Sequence, residues 1–331
     1  MRAVITHFDG DPFLLNAWLM LYEKYWRGEC DKVYMVVCNR TDFVPKEVTD
    51  FNIRLVAQYP EIVCEFVDQW ELPESANQRL LQRVTEDQIG FIESDGFVFG
   101  RGIVDQCFRL LTEGQDVVSA PWELIRDPFI NGDLHFKGFM RCFFFTKKQV
   151  LDRINVDFFP RTALAGVRIL ETYTPAADIP LDCFGWISLQ IALLTQKITF
   201  TNGHVMTPDN ILTPWDNWKW VHVRQMQSSA LGMGGGSFKN WITKDRQHVL
   251  DNVFDIVNEN LPGGPNEFTF VKAVAFRLIF IDMFLRIHAF DLIGQFAADY
   301  RQVLESVIDL YTLPRERIYE IKGYYKALFQ L

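Results

Sequence analysis

Residues 89–100 read IGFIESDGFVFG, and this stretch decides how the rest of the chain is read. Ile89, Phe91 and Ile92 form a short apolar run of the length and make-up expected for a buried strand. The run stops at Glu93, Ser94 and Asp95, with Gly96 behind them, and then turns apolar again at Phe97, Val98 and Phe99. Side chains alternate along an extended segment, so Glu93 and Asp95 are expected on one side and Ser94 on the other. Two carboxylates on one side make a hard oxygen site for Mg²⁺ or Mn²⁺. The competing reading is a polar turn that leaves the sheet and binds nothing.

The neighbouring segments supply the setting. RAVITHF at 2–8 reads as a strand, followed by a helical PFLLNAWLMLYEKYW; KVYMVVCN and IVCEFVD read as the second and third strands. A helix over ESANQRLLQRVTED precedes the opening stretch, and a helix over GIVDQCFRLLTEG, ending at Gly114, follows it; DVVSAPW is the next strand. This β-α-β rhythm predicts an α/β fold, a mostly parallel sheet flanked by helices. Ligands of such sheets sit outside the carboxyl ends of the strands, where Glu93 and Asp95 fall.

Composition narrows the function. The chain has 331 residues, 49% of them hydrophobic, and a formal net charge of −9. A net negative charge argues against nucleic acid or anionic lipid as the main partner, since both call for a cationic surface. Phosphates remain accessible to such a protein through a bridging cation. The six cysteines form no C-x-x-C pair, and Cys38, Cys64 and Cys142 lie in apolar runs. Reduced buried thiols and a cytoplasmic location are expected. No signal peptide and no apolar run of membrane-spanning length is visible.

With these residues in view, the sequence resembles the GT-A-fold glycosyltransferases, which use nucleotide-diphosphate sugars. FIESDGFV is similar to their D-x-D segment, with Glu93 in place of the usual first Asp. The resemblance implies that Asp95 and Glu93 hold Mn²⁺ or Mg²⁺ against the donor diphosphate. It places the donor near Thr6, His7 and Asp68 at the first and third strand ends, near Asn77 and Arg79 of SANQR, and near Ser94. A late His completes the metal site in many members; His222 matches that place, with His204 as the alternative.

Later segments extend the resemblance to about residue 225. GFMRCFFFTKKQVL reads as a strand entering a helix, and IPLDCFGWISLQIALLTQKITF as a helix and a further strand. Asp182 is expected to cap a helix starting near Cys183. It also matches the general base of members that invert the anomeric centre, which implies an inverting transfer. Trp215, Trp218 and Trp220 stand within six residues. They suit either stacking on sugar rings or core packing, and Trp122, Trp215 and Trp218 are the acceptor-site candidates. GMGGGS at 232–237 reads as a linker or a mobile flap.

The expected organisation is a GT-A-like catalytic domain over 1–225, a Gly-rich loop or linker over 226–244, and a helical C-terminal subdomain over 245–331. Within the last, residues 268–296 are apolar nearly all round, which predicts burial against the catalytic domain or a second subunit. A homo-oligomer through these helices is open, whereas no Lys/Arg cluster flanks them to favour peripheral membrane contact. Three functions compete: a metal-dependent glycosyltransferase (inverting, or retaining on the same fold), a nucleotidyltransferase, and a non-catalytic carbohydrate-binding relative. The acidic THFDGDPF after the first strand lacks the Gly-rich, basic loop of the nucleotidyltransferases. The expected partners are a nucleotide-diphosphate sugar and a glycan or other hydroxyl acceptor.

Overall fold

A computed structural model describes residues 1–8, 10, 12–39, 46–69, 71, 73–124, 136–156, 161–163, 179–181, 184–201, 203–206, 218–223, 283–284, 287–296 and 298. The chain begins with β1 (Arg2–Phe8), α1 (Pro12–Leu21), β2 (Lys32–Cys38), α2 (Lys46–Val56), β3 (Ile62–Val67), α3 (Pro73–Arg83) and β4 (Gln88–Ile92). It continues through β5 (Gly96–Val98), α4 (Ile103–Thr112), β6 (Val117–Leu124), β7 (Phe136–Lys147) and α5 (Lys148–Leu151). Then come β8 (Arg161–Ala163), β9 (Ile179–Leu181), α6 (Gly185–Leu194), β10 (Ile198–Phe200), β11 (His204–Met206) and β12 (Trp220–Val223).

Seven strands form one sheet in the order β10-β6-β7-β4-β1-β2-β3. β1 pairs in parallel with both β2 and β4, β2 with β3, and β6 with β10; β7 alone runs antiparallel, between β4 and β6. This is the mostly parallel, helix-flanked α/β sheet that the sequence rhythm predicted. β4 has a neighbour on each side and a helical layer on each face, which is why its sequence is a near-continuous apolar run.

Two apolar clusters sandwich the sheet. Alternate residues of β1 divide between them: Val4 and Phe8 enter one, Ala3 and Ile5 the other. The first cluster is built around α1 and α4, with Trp18, Tyr22, Trp26 and Phe108; the second holds Leu80 of α3 and Ile187 and Ile191 of α6. α1 begins on Pro12 and α3 on Pro73, where the missing N–H costs no intrahelical bond. The helical pattern past Leu21 continues as a π-helical turn, Tyr22–Trp26.

Of the apolar segment at 268–296, most of the described apolar residues pack inward, while Phe290 is exposed. Met283, Phe284, Ala289, Leu292 and Phe296 are buried in the first cluster, and Lys24 pairs with Asp291. The glycine-rich stretch at 232–237 and the proposed boundaries at 226–244 lie outside the described residues. Among the described residues no helix is long and apolar enough to cross a membrane.

One expectation needs correction. α6 starts at Gly185, with Phe184 at its cap position and no side-chain cap, rather than near Cys183 with Asp182 as its cap. Phe184 is drawn into the second cluster, its ring 4.9 Å from that of Phe144. Helical geometry begins only after that side chain is buried. Asp182 itself lies outside the described residues.

Candidate functional site

β4 ends at Ile92, and the acids follow at once. The chain turns there rather than staying extended: the Gly96 N–H donates to the Glu93 carbonyl at 2.9 Å, which closes a tight turn with Ser94 and Asp95 at its corners. Glu93 and Asp95 thus meet across a turn, not by strand alternation. Ser94 points into the protein, fully buried, and its hydroxyl has no hydrogen-bond partner. It is not among the residues that line the cleft described below.

Beyond the turn, β5 pairs antiparallel with β12, and the register sets His222 opposite Gly96. A Cβ on Gly96 would fall 2.7 Å from the Cys142 carbonyl oxygen and 3.2 Å from that of Glu93. Glycine is what lets β7 pass this close. The pairing carries His222 to the acids: its Nε2 lies 3.2 Å from Asp95 Oδ1 and 3.5 Å from Glu93 Oε2. All three ligand atoms lie within 4.8 Å of one another.

Asp95 and His222 are buried and Glu93 is half-buried. Burial disfavours a charged ring at His222, yet the Cys142 sulfur and the Asp95 carboxylate outweigh it and hold the imidazole well above the ordinary histidine range. Burial pushes the Cys142 thiol up in turn. This concentrates negative potential around one buried imidazole, an arrangement that a cation would complete.

The donor set fits such a cation. Octahedral ions of this size take ligands at about 2.1 Å, which puts adjacent ligand atoms about 3 Å apart. The two measured separations are close to that value. Two carboxylates with one imidazole suit Mn²⁺ better than Mg²⁺, which favours an all-oxygen shell.

A cleft opens beside the triad and shares Glu93 with it. Its walls are Ile5, Thr6 and His7 at the end of β1, Phe91 and Ile92 at the end of β4, and Pro73 and Asn77 of α3. β1 and β4 pair in parallel with Ile5 opposite Phe91, so both strands open at the same edge. Pro73 and Asn77 stand four residues apart on one helical face. The Thr6 hydroxyl is buried without a partner, and His7 Nε2 lies 3.3 Å from Cys38 Sγ.

Two other expected donor residues stand elsewhere. Arg79 is two positions past Asn77, so it leaves the helix on another side. It forms a bidentate pair with Glu71 at 2.8 and 2.7 Å and faces Glu65 as well. Asp68 is exposed just after β3. β2 lies between β1 and β3, which sets it about 10 Å from the β1 edge at ordinary strand spacing.

The tryptophans divide. Trp220 is a core residue, stacked on Phe143 at 4.8 Å and 9°, with its indole N–H donating to Thr201 Oγ1 at 3.2 Å. Trp218 is half-buried against the first cluster. Trp122 belongs to β6 opposite Gly138, and Trp215 lies outside the described residues. His204 is in β11, which pairs in parallel with β12.

No protein-family model matches the chain, and no curated protein does. Solved structures similar to it include a mannosyltransferase of Pyrobaculum calidifontis in complex with GDP-Man and Mn²⁺. That likeness is 13% identical, covers 99% of this chain and 87% of the other, and has a TM-score of 0.43. TarS of S. aureus, residues 1–349, is 10% identical over 91% of each chain, with a TM-score of 0.42. The galactosyltransferase LgtC with donor and acceptor sugar analogues is 10% identical over 67% of this chain and 86% of the other, at 0.39. These are distant likenesses, and the function proposed below rests on the chain's own residues.

Proposed function

We propose that the protein is a metal-dependent glycosyltransferase that moves a sugar from a nucleotide-diphosphate donor to an acceptor hydroxyl. One observation carries this reading: Glu93 belongs both to a three-ligand cluster and to the wall of a strand-end cleft. A diphosphate bridging the two positions would lie against the cluster while its nucleoside occupies the cleft.

Glu93, Asp95 and His222 would hold the cation, which supplies positive charge to a diphosphate leaving group. The turn closed by Gly96 fixes both carboxylates, and the β5–β12 ladder fixes the imidazole, so little reorganisation is needed on binding. Thr6 and Asn77 offer a hydroxyl and an amide to the nucleoside, and Ile5, Phe91 and Ile92 supply apolar wall. His7, held at Cys38, belongs to the same wall.

Asp182 is the proposed general base of an inverting transfer, on its sequence position. It would take the proton from the acceptor oxygen as the bond to the leaving diphosphate breaks. A retaining transfer would need no base at that position.

A panel of nucleotide-diphosphate sugars, scanned by thermal shift with and without Mn²⁺, tests the reading. A cognate donor at about 100 times its Kd should stabilise the fold by about 2.7 kcal/mol, and only with metal. Incubating that donor with candidate acceptors should then release nucleoside diphosphate. A panel without any metal-dependent shift speaks for a carbohydrate-binding role instead.

A further inference from the structure

The metal triad and the cleft use the ends of β1 and β4, whereas a buried amide stands beside the ends of β1 and β2. Asn52, in the middle of α2, is 0% exposed. Its Nδ2 donates to the Gly10 carbonyl at 2.9 Å and to Asn39 Oδ1 at 3.3 Å. Both neighbours are acceptors, which fixes the amide with its nitrogen toward them. Its own Oδ1 is buried without a hydrogen-bond partner. Packing alone does not explain such a residue. Phe51 and Val56 of the same helix enter the first apolar cluster, and a leucine of the same shape would bring no unmet oxygen with it.

What the amide holds is the exit of β1. Gly10 follows that strand by two residues, and Asn39 follows β2 directly. Gly10 has φ +86°, and a Cβ there would fall 2.1 Å from the Cys38 carbonyl oxygen. The chain leaving β1 therefore crosses in contact with the last peptide of β2. That strand end is itself fixed, since the Asn39 N–H donates to the Val67 carbonyl of β3 at 2.8 Å. Cys38 is the link to the cleft. Its side chain belongs to the second cluster, on the other face of the sheet from Phe51 and Val56, and its Sγ lies 3.3 Å from His7 Nε2. His7 lines the cleft, and Asn52 does not.

We propose that Asn52 is a positioning residue for the nucleoside cleft. By holding the Gly10 carbonyl it keeps the chain leaving β1 seated on the Cys38 peptide, and the seated strand ends hold His7 in the cleft wall. Without the amide the Gly10 carbonyl loses its donor, and a glycine with no side chain to anchor it is free to lift from β2. His7 then loses its fixed place, and a nucleoside bound against it must order the wall at its own expense. The clamp acts on the cleft and not on the metal ligands, which are set by the Gly96 turn and the β5–β12 ladder. This inference rests on the proposed function, because it takes the cleft as the nucleoside site.

The test is calorimetric titration of UDP, GDP, ADP and CDP into the full chain in Mn²⁺. Asn52→Leu keeps the shape of the side chain and removes the donor. The nucleoside diphosphate that binds wild type most tightly should lose about 3–30-fold in affinity, the range expected of a residue that acts without touching the ligand. Mn²⁺ affinity, followed by electron paramagnetic resonance of the free ion, should stay within about twofold. In a His7→Ala background the same substitution should cost less than about twofold, because its effect passes through that ring. Amide exchange of the wild type needs no variant and stands if Asn52→Leu fails to fold: the segment containing Gly10 should gain protection when the nucleoside diphosphate binds. Nucleoside diphosphate affinity unchanged in Asn52→Leu would overturn the positioning role alone. So would an equal loss in both backgrounds, an equal loss of Mn²⁺, or unchanged exchange at Gly10. If none of the four binds wild type in Mn²⁺, the glycosyltransferase reading fails and this inference with it.

Discussion

Gly96→Ala is the substitution whose consequence the geometry defines most closely. The added Cβ would lie 2.7 Å from the Cys142 carbonyl oxygen, about 0.7 Å inside an ordinary 3.4 Å contact. The Glu93 carbonyl oxygen stands at 3.2 Å on another side. Both obstacles are backbone atoms, so no side chain can swing away. One is on β7, already tied to the Glu93 N–H, and the other accepts the N–H of Gly96 itself. Relief requires β5 and β12 to move off β7, and His222 moves with them. Overpacking of this kind costs about 1–3 kcal/mol. A metal site tolerates about 0.5 Å of displacement before its geometry is lost. Urea unfolding of the metal-free protein should show that destabilisation, and Mn²⁺ titration should show affinity reduced by about tenfold or more. Gly102→Ala is the control. Gly102 has φ +79° and open space around the Cβ position, so alanine there costs about 1 kcal/mol of backbone strain and leaves Mn²⁺ binding unchanged. A Gly96→Ala protein as stable as wild type, with the same Mn²⁺ affinity, would refute this reasoning.

Asn77→Ala should weaken nucleotide binding by removing an amide from the cleft wall, while Arg79→Gln should leave it nearly unchanged, because Arg79 is held by Glu71; calorimetric titration of both variants checks this. Leu292→Ala should destabilise the protein by about 2–5 kcal/mol if the described C-terminal residues share the first cluster, as read from the urea midpoint. Asp116 is held below the usual carboxylate range: burial opposes ionisation, but hydrogen bonds from Thr195 and Lys147 outweigh it. A lowered folded value means that its contribution is present above the ordinary Asp pKa of about 3.9 and fades as the pH falls below it. Asp116→Asn should therefore lower the melting temperature at pH 7, by an amount equivalent to about 1–2 kcal/mol, and the gap to wild type should close in acid.

What the sequence could disclose depended on how local each feature is. The strand ends were legible because period and punctuation are local, and Thr6, His7, Asn77 and Glu93 do line one cleft. Arg79 could not be placed because its partner Glu71 lies in the preceding connection, and a pairing of that kind leaves no periodic trace. Ser94 was read correctly as pointing back, but its burial removes it from the cleft wall. The proximity of His222 to the acids depends on β12 pairing with β5 across more than a hundred residues. Only the resemblance suggested it; no spacing rule could. Trp220 shows the opposite case, where a residue type suited to sugar stacking is used for core packing. Cys142 was legible only as a buried thiol, since the irregularity in which it stands exists in the β6–β7 register and not in composition.

The most direct test is calorimetric titration of the cognate nucleotide-diphosphate sugar into the full chain, in Mn²⁺ and again in excess chelator. The triad shares Glu93 with the cleft, so donor binding should be strong in Mn²⁺, lost in chelator, and lost in Asp95→Asn even with Mn²⁺ present. Equal donor affinity in Mn²⁺ and in chelator would contradict the assignment of Glu93, Asp95 and His222 as the metal centre of a glycosyltransferase.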